Sequence, residues 1–67
     1  MLGNPKFNLN DVVSFSLCGK KKQGIIYIID KYGTFFDKSD VSYDIFVEEE
    51  NMLYKHINEN FVEKVLL

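Results

Sequence analysis

The sequence contains no alanine, no arginine and no tryptophan, and only one cysteine, one histidine and one proline. Each shortage excludes something. Alanine is the best helix former, and its absence beside six isoleucines and six valines turns the chain towards sheet. All eight basic residues are lysine. Without arginine there is no rigid fork for bidentate reading of guanine, so base-specific recognition of duplex DNA is not expected. The net charge of −2 and isoelectric point near 5.2 are the reverse of what phosphate neutralisation demands. A single Cys18 forms no internal disulfide, and Cys18 with His56 cannot supply the usual ligand set of a zinc site within one chain. The longest purely apolar run, Ile25 to Ile29, falls far short of the roughly 20 residues that span a bilayer. Met1 is followed by Leu-Gly-Asn-Pro rather than by a positive region and an apolar stretch, so no secretory leader is read here. The expectation is a reduced, cytoplasmic protein without membrane, metal or cofactor.

Sixty-seven residues make one small domain. A chain of this size buries only about 60% of its unfolded surface and keeps a few kcal/mol of stability. The core consumes most of the apolar residues, which leaves little with which to enclose a catalytic cleft. The chain is therefore not expected to be an enzyme.

What is present is patterned as sheet. Residues 1–8 hold the only proline and little periodicity, and read as a loose lead-in to a single domain over 9–67. Val12 to Leu17 alternates, with Val13, Phe15 and Leu17 on one face. Cys18 to Gln23 reads as a polar loop carrying Lys20, Lys21 and Lys22. Gly24 to Asp30 is a strand apolar on both faces, Ile26 and Ile28 pointing one way and Ile25, Tyr27 and Ile29 the other. A long, aromatic second loop over 31–40 leads to Val41–Val47, with Val41, Tyr43, Ile45 and Val47 inward and Ser42, Asp44 and Phe46 outward. Glu48 to Asn51 makes a tight acidic turn, Met52 to His56 a fourth strand, Ile57 to Asn60 a single 3-10 turn, and Phe61 to Leu67 a last strand.

Five short strands with one 3-10 turn before the last resemble a Src-homology-3-like barrel. Within it, Leu9-Asn10-Asp11-Val12-Val13 looks like the opening of KOW-type barrels, and Gly24-Ile25-Ile26-Tyr27-Ile28-Ile29-Asp30 is similar to the Gly-x-Val-x-x-Ile-Asp segment that follows there. Asn10 stands where that family prefers glycine, and a lysine of Lys20-Lys21-Lys22 replaces the second glycine of its first loop. The chain also looks like very small uncharacterised barrels of phages and prophages of low-GC bacteria. The resemblance implies an all-β binding protein for RNA or for protein, and does not choose between them.

The residues themselves offer two surfaces. Filling a barrel this small uses one face of each strand, which leaves Tyr27, Tyr32, Phe35, Phe36 and Phe46 in surplus, and clustered surface aromatics mark interaction sites. A non-catalytic module contacting a protein partner, or a second copy, through Tyr32, Phe35 and Phe36 with Phe46 nearby is the function expected. The alternative is binding of RNA or single-stranded DNA through Lys20, Lys21 and Lys22, with the loop aromatics as stacking faces. Cys18 and His56 form a conceivable nucleophilic pair, but packing at a strand end and capping of a turn account for them as well. Glu48-Glu49-Glu50 lacks the glycine-bearing geometry of a calcium loop and reads as a solvated turn.

Overall fold

β-branched and aromatic residues at period two place this chain in sheet, and the computed structural model, which describes residues 5–31 and 41–65, has only strands and two single 3-10 turns there. In order these are β1 (Val12–Leu17), β2 (Lys20–Asp30), β3 (Ser42–Val47), a 3-10 turn (Glu48–Glu50), β4 (Met52–Asn58), a second 3-10 turn (Glu59–Phe61) and β5 (Val62–Lys64). All pairings are antiparallel, in one sheet of order β4-β3-β2-β1-β5. Among the described residues no ladder joins β4 to β5, so these two strands are its edges.

The polar stretch after β1 is not the loop that its lysines suggest. Leu17 pairs with Lys20, leaving Cys18 and Gly19 as a two-residue turn with φ of 52° and 77°. Positive φ at both central residues is the type I′ geometry whose twist matches that of flanking strands. Lys20, Lys21 and Lys22 therefore lie on β2, opposite Leu17, Ser16 and Phe15. β2 is eleven residues long because its first half pairs with β1 and its second half with β3.

Inward-facing Val13, Phe15, Ile26, Val41, Tyr43, Ile45, Val47, Ile57 and Val62 form the core, with Leu17, Ile29 and Tyr54 packed against it. The four residues expected inward in Val41–Val47 are all buried, but Ser42, expected outward, is buried with them. Phe7, read from sequence as part of the lead-in, also enters this core, its ring edge-on to Tyr43 with centroids 5.7 Å apart. Lys6 N–H donates to Glu59 Oε2 at 3.0 Å, the same oxygen that accepts from Tyr43 Oη at 2.5 Å, so Glu59 ties the described part of that segment to β3.

The phase expected for β2 fails halfway along. Ile26 opposes Ile45 and Ile28 opposes Asp44, so Tyr27 and Ile28 together span one step of β3. That bulge inserts one residue and reverses the alternation. Ile26 and Ile29 then face the core while Ile28, expected on the same face as Ile26, is 52% exposed. A second bulge faces the other side of the same residue: β4 slips between Tyr43–Ile57 and Ile45–Tyr54, with His56 in the left-handed region at φ 58°. The His56 N–H, displaced from the ladder, donates to Asp44 Oδ1 at 3.0 Å. Asp44 is thus the point at which both neighbours of β3 are irregular.

Candidate functional site

The outer face of the sheet carries an apolar row that runs across four strands. The register sets Val12 of β1 opposite Ile25 of β2, Ile25 opposite Phe46 of β3, and Phe46 opposite Leu53 of β4. Each neighbours an inward core residue in its own strand, so all four point away from the core. Tyr27 lies one pleat along β2 and stacks on Phe46, with ring centroids 5.2 Å apart and planes 14° from parallel. Half of Tyr27 remains exposed at 51%. Offset-stacked aromatics of this kind hold each other in place, presenting a rigid face at small entropic cost. Ile28, turned outward by the bulge, extends the apolar surface next to Tyr27.

One end of this row opens into a groove of about 430 Å³ lined by Val12, Gly24, Ile25 and Phe46, with Glu48 and Glu49 among the lining residues. The hairpin that carries the glutamates is closed by Asn51, which takes φ 51° and donates its N–H to the Glu48 carbonyl at 3.0 Å. The 3-10 turn directs its three carboxylates differently. Glu50 turns to Lys22 and Tyr54: Lys22 Nζ donates to it at 2.6 Å and Tyr54 Oη donates to its other oxygen. Those donors hold the Glu50 carboxyl below the usual carboxylate range, the Lys22 bond being the larger cause. The same bonds to Glu50 raise the Lys22 ammonium and the Tyr54 hydroxyl. Lys22 Nζ also sits 5.6 Å from the Tyr54 ring centroid, within cation–π range.

The residues named from sequence are distributed unevenly. Phe46 lies at the centre of the apolar row. Tyr32, Phe35 and Phe36 lie outside the described residues. Lys20, Lys21 and Lys22 sit on one strand, but Lys21 Nζ is 3.1 Å from Glu63 Oε2 and Lys22 is held by Glu50, so two of the three already have carboxylate partners. Val12, Ile25 and Leu53 were not singled out by sequence. Each is one apolar residue in its own strand, and only the cross-strand register brings them into line. Pairing the strands outward from the Glu48–Asn51 hairpin would have set Leu53 against Phe46; the others need β1 and β2 in register as well.

Cys18 and His56 line a second, smaller hollow of about 250 Å³ with Leu17, Ile57 and Phe61. Both side chains are exposed. Each residue has a backbone task that accounts for its position, Cys18 in the type I′ turn and His56 in the β4 bulge. Among the described residues no group of three or more His, Cys, Asp or Glu side chains converges as a metal site. No described helix is long and apolar enough to cross a membrane. Comparison of the chain with protein-family models, with curated proteins and with solved structures finds no match.

Proposed function

We propose that this protein is a non-catalytic binding module, built as a small Src-homology-3-like barrel, that contacts a protein partner through its outer sheet face. The observation that carries the reading is the Tyr27–Phe46 stack, half exposed and continuous with Val12, Ile25 and Leu53. Surface aromatics surrounded by aliphatic side chains are what interface cores are made of. Support for the barrel comes from the core. Phe15 of β1 and Tyr54 of β4 have ring centroids 5.4 Å apart, although three strand spacings, about 14 Å in a flat sheet, separate their strands. A sheet curled this strongly, with β5 returned beside β1 after a 3-10 turn, suits a barrel.

The nucleic-acid alternative has less behind it. A phosphate approaching Lys21 or Lys22 competes with the carboxylate of Glu63 or Glu50 already beside that ammonium, and the net charge opposes it.

The experiment is selection of binders from a random peptide library on the immobilised protein, followed by affinity measurement on Tyr27→Ser and Phe46→Ser variants whose circular dichroism matches wild type. Selected binders are expected to lose affinity about tenfold or more on either variant, as for an aromatic hot spot. Binders that hold both variants as tightly as wild type would overturn the assignment of this face.

A further inference from the structure

We infer that the groove beside Phe46 takes a lysine or arginine side chain of an extended polypeptide whose neighbouring residues are apolar. The inference rests on the outer face being a protein-binding surface, and it adds the chemical class of the segment bound there.

The argument is one of unmatched charge beside apolar floor. Three glutamates outside the groove are engaged: Glu50 with Lys22 and Tyr54, Glu59 with Tyr43 and the Lys6 N–H, Glu63 with Lys21. The carboxylates of Glu48 and Glu49, which line the groove, make no hydrogen bond or ion pair with any described residue. Of the β2 lysines, Lys22 is bonded to Glu50 and Lys20 acts on Glu50 through space, and neither forms an ion pair with Glu48 or Glu49. Two negative charges thus stand beside a floor of Val12, Ile25 and Phe46.

A basic side chain fits both halves of that surface. Its aliphatic stem lies along the apolar floor while the cationic head reaches the carboxylates. An acidic segment or a nucleic-acid backbone meets like charge at the same place, which makes the two glutamates a discriminating element as well as an attractive one. Flanking apolar residues of the segment find the Tyr27–Phe46 stack and Leu53 further along the row.

The test uses two short synthetic peptides, one alternating lysine and leucine, the other with glutamine in place of each lysine. Both are titrated by fluorescence anisotropy against wild type, the double variant E48Q/E49Q and Tyr27→Ser. The lysine peptide is expected to bind wild type, to weaken about tenfold on E48Q/E49Q and with added salt, and to weaken on Tyr27→Ser; the glutamine peptide is expected to bind more weakly and to ignore E48Q/E49Q. Equal binding of both peptides, insensitive to E48Q/E49Q but lost on Tyr27→Ser, overturns the charge preference and leaves the surface assignment standing. Absence of lysine-peptide binding to wild type overturns the inference, and the library selection then decides the surface independently. Glu48 and Glu49 are exposed in a turn and are not part of the core, so the double variant is expected to fold.

Discussion

Gly24 shows at a single residue how closely the strands approach. A Cβ added there would stand 2.5 Å from the Phe46 carbonyl oxygen and 2.7 Å from Ile45 Cγ2. The first of these is backbone and cannot step aside. Gly24→Ala is expected to destabilise the domain by about 3 kcal/mol, at the upper end of overpacking costs. In a chain with only a few kcal/mol in hand, thermal melting should find the variant largely unfolded. Tyr43 is a second decisive residue. Its ring is fully buried and its hydroxyl donates to Glu59, and burial first, then that bond, hold its ionisation above the normal tyrosine range. A group whose folded value is raised contributes stability below its unfolded value, near pH 10, and loses that contribution as pH climbs through the folded one. Tyr43→Phe is expected to cost about 2 kcal/mol at neutral pH and to make the loss of stability above pH 10 shallower, read from denaturant midpoints across pH. It will not be flat, because Tyr54 is raised in the same direction by Glu50.

At the scale of elements, the β1–β2 hairpin turns on two residues of unequal fitness. Gly19 accepts φ 77° freely, whereas Cys18 carries a side chain at φ 52°. Asparagine at the first position with glycine at the second is the strongest type I′ pair. Cys18→Asn is expected to raise stability by several tenths of a kcal/mol, measured as an increased melting temperature; a decrease would contradict the turn assignment. The existence and order of the strands were legible because period-two patterning of Val12–Leu17 and Val41–Val47 reports burial on one face directly. The position of Lys20–Lys22 was not, since three consecutive lysines look like loop unless it is known that the turn needs only two residues. Nor was the outward turn of Ile28, because the bulge at Tyr27–Ile28 answers to Asp44 on the next strand. A strand apolar on both faces has no internal signal of its phase.

For the whole molecule, the proposed function rests on the way five strands share their residues between two faces. The inner face uses Val13, Phe15, Ile26, Tyr43 and Ile45, and the outer face collects Val12, Ile25, Tyr27, Phe46 and Leu53 into one surface. Lys22 and Lys21 of β2 meanwhile pair with Glu50 of the β3–β4 hairpin and Glu63 of β5. Titration with single-stranded and duplex oligonucleotides at low salt is accordingly expected to give no more than weak binding, and a salt-steep affinity abolished by Lys→Glu changes at Lys20–Lys22 would restore the nucleic-acid reading. The sequence by itself determined an all-β chain, its five strands in order and the inward set of β3, because composition and period are local properties of the chain. Only the tertiary structure decided which face Ile28 joins, that Lys21 and Lys22 are paired, and that four single apolar residues form one row. Each of those depends on the register between strands distant in sequence, and a shift of one residue in any pairing would send the same side chains to the opposite face.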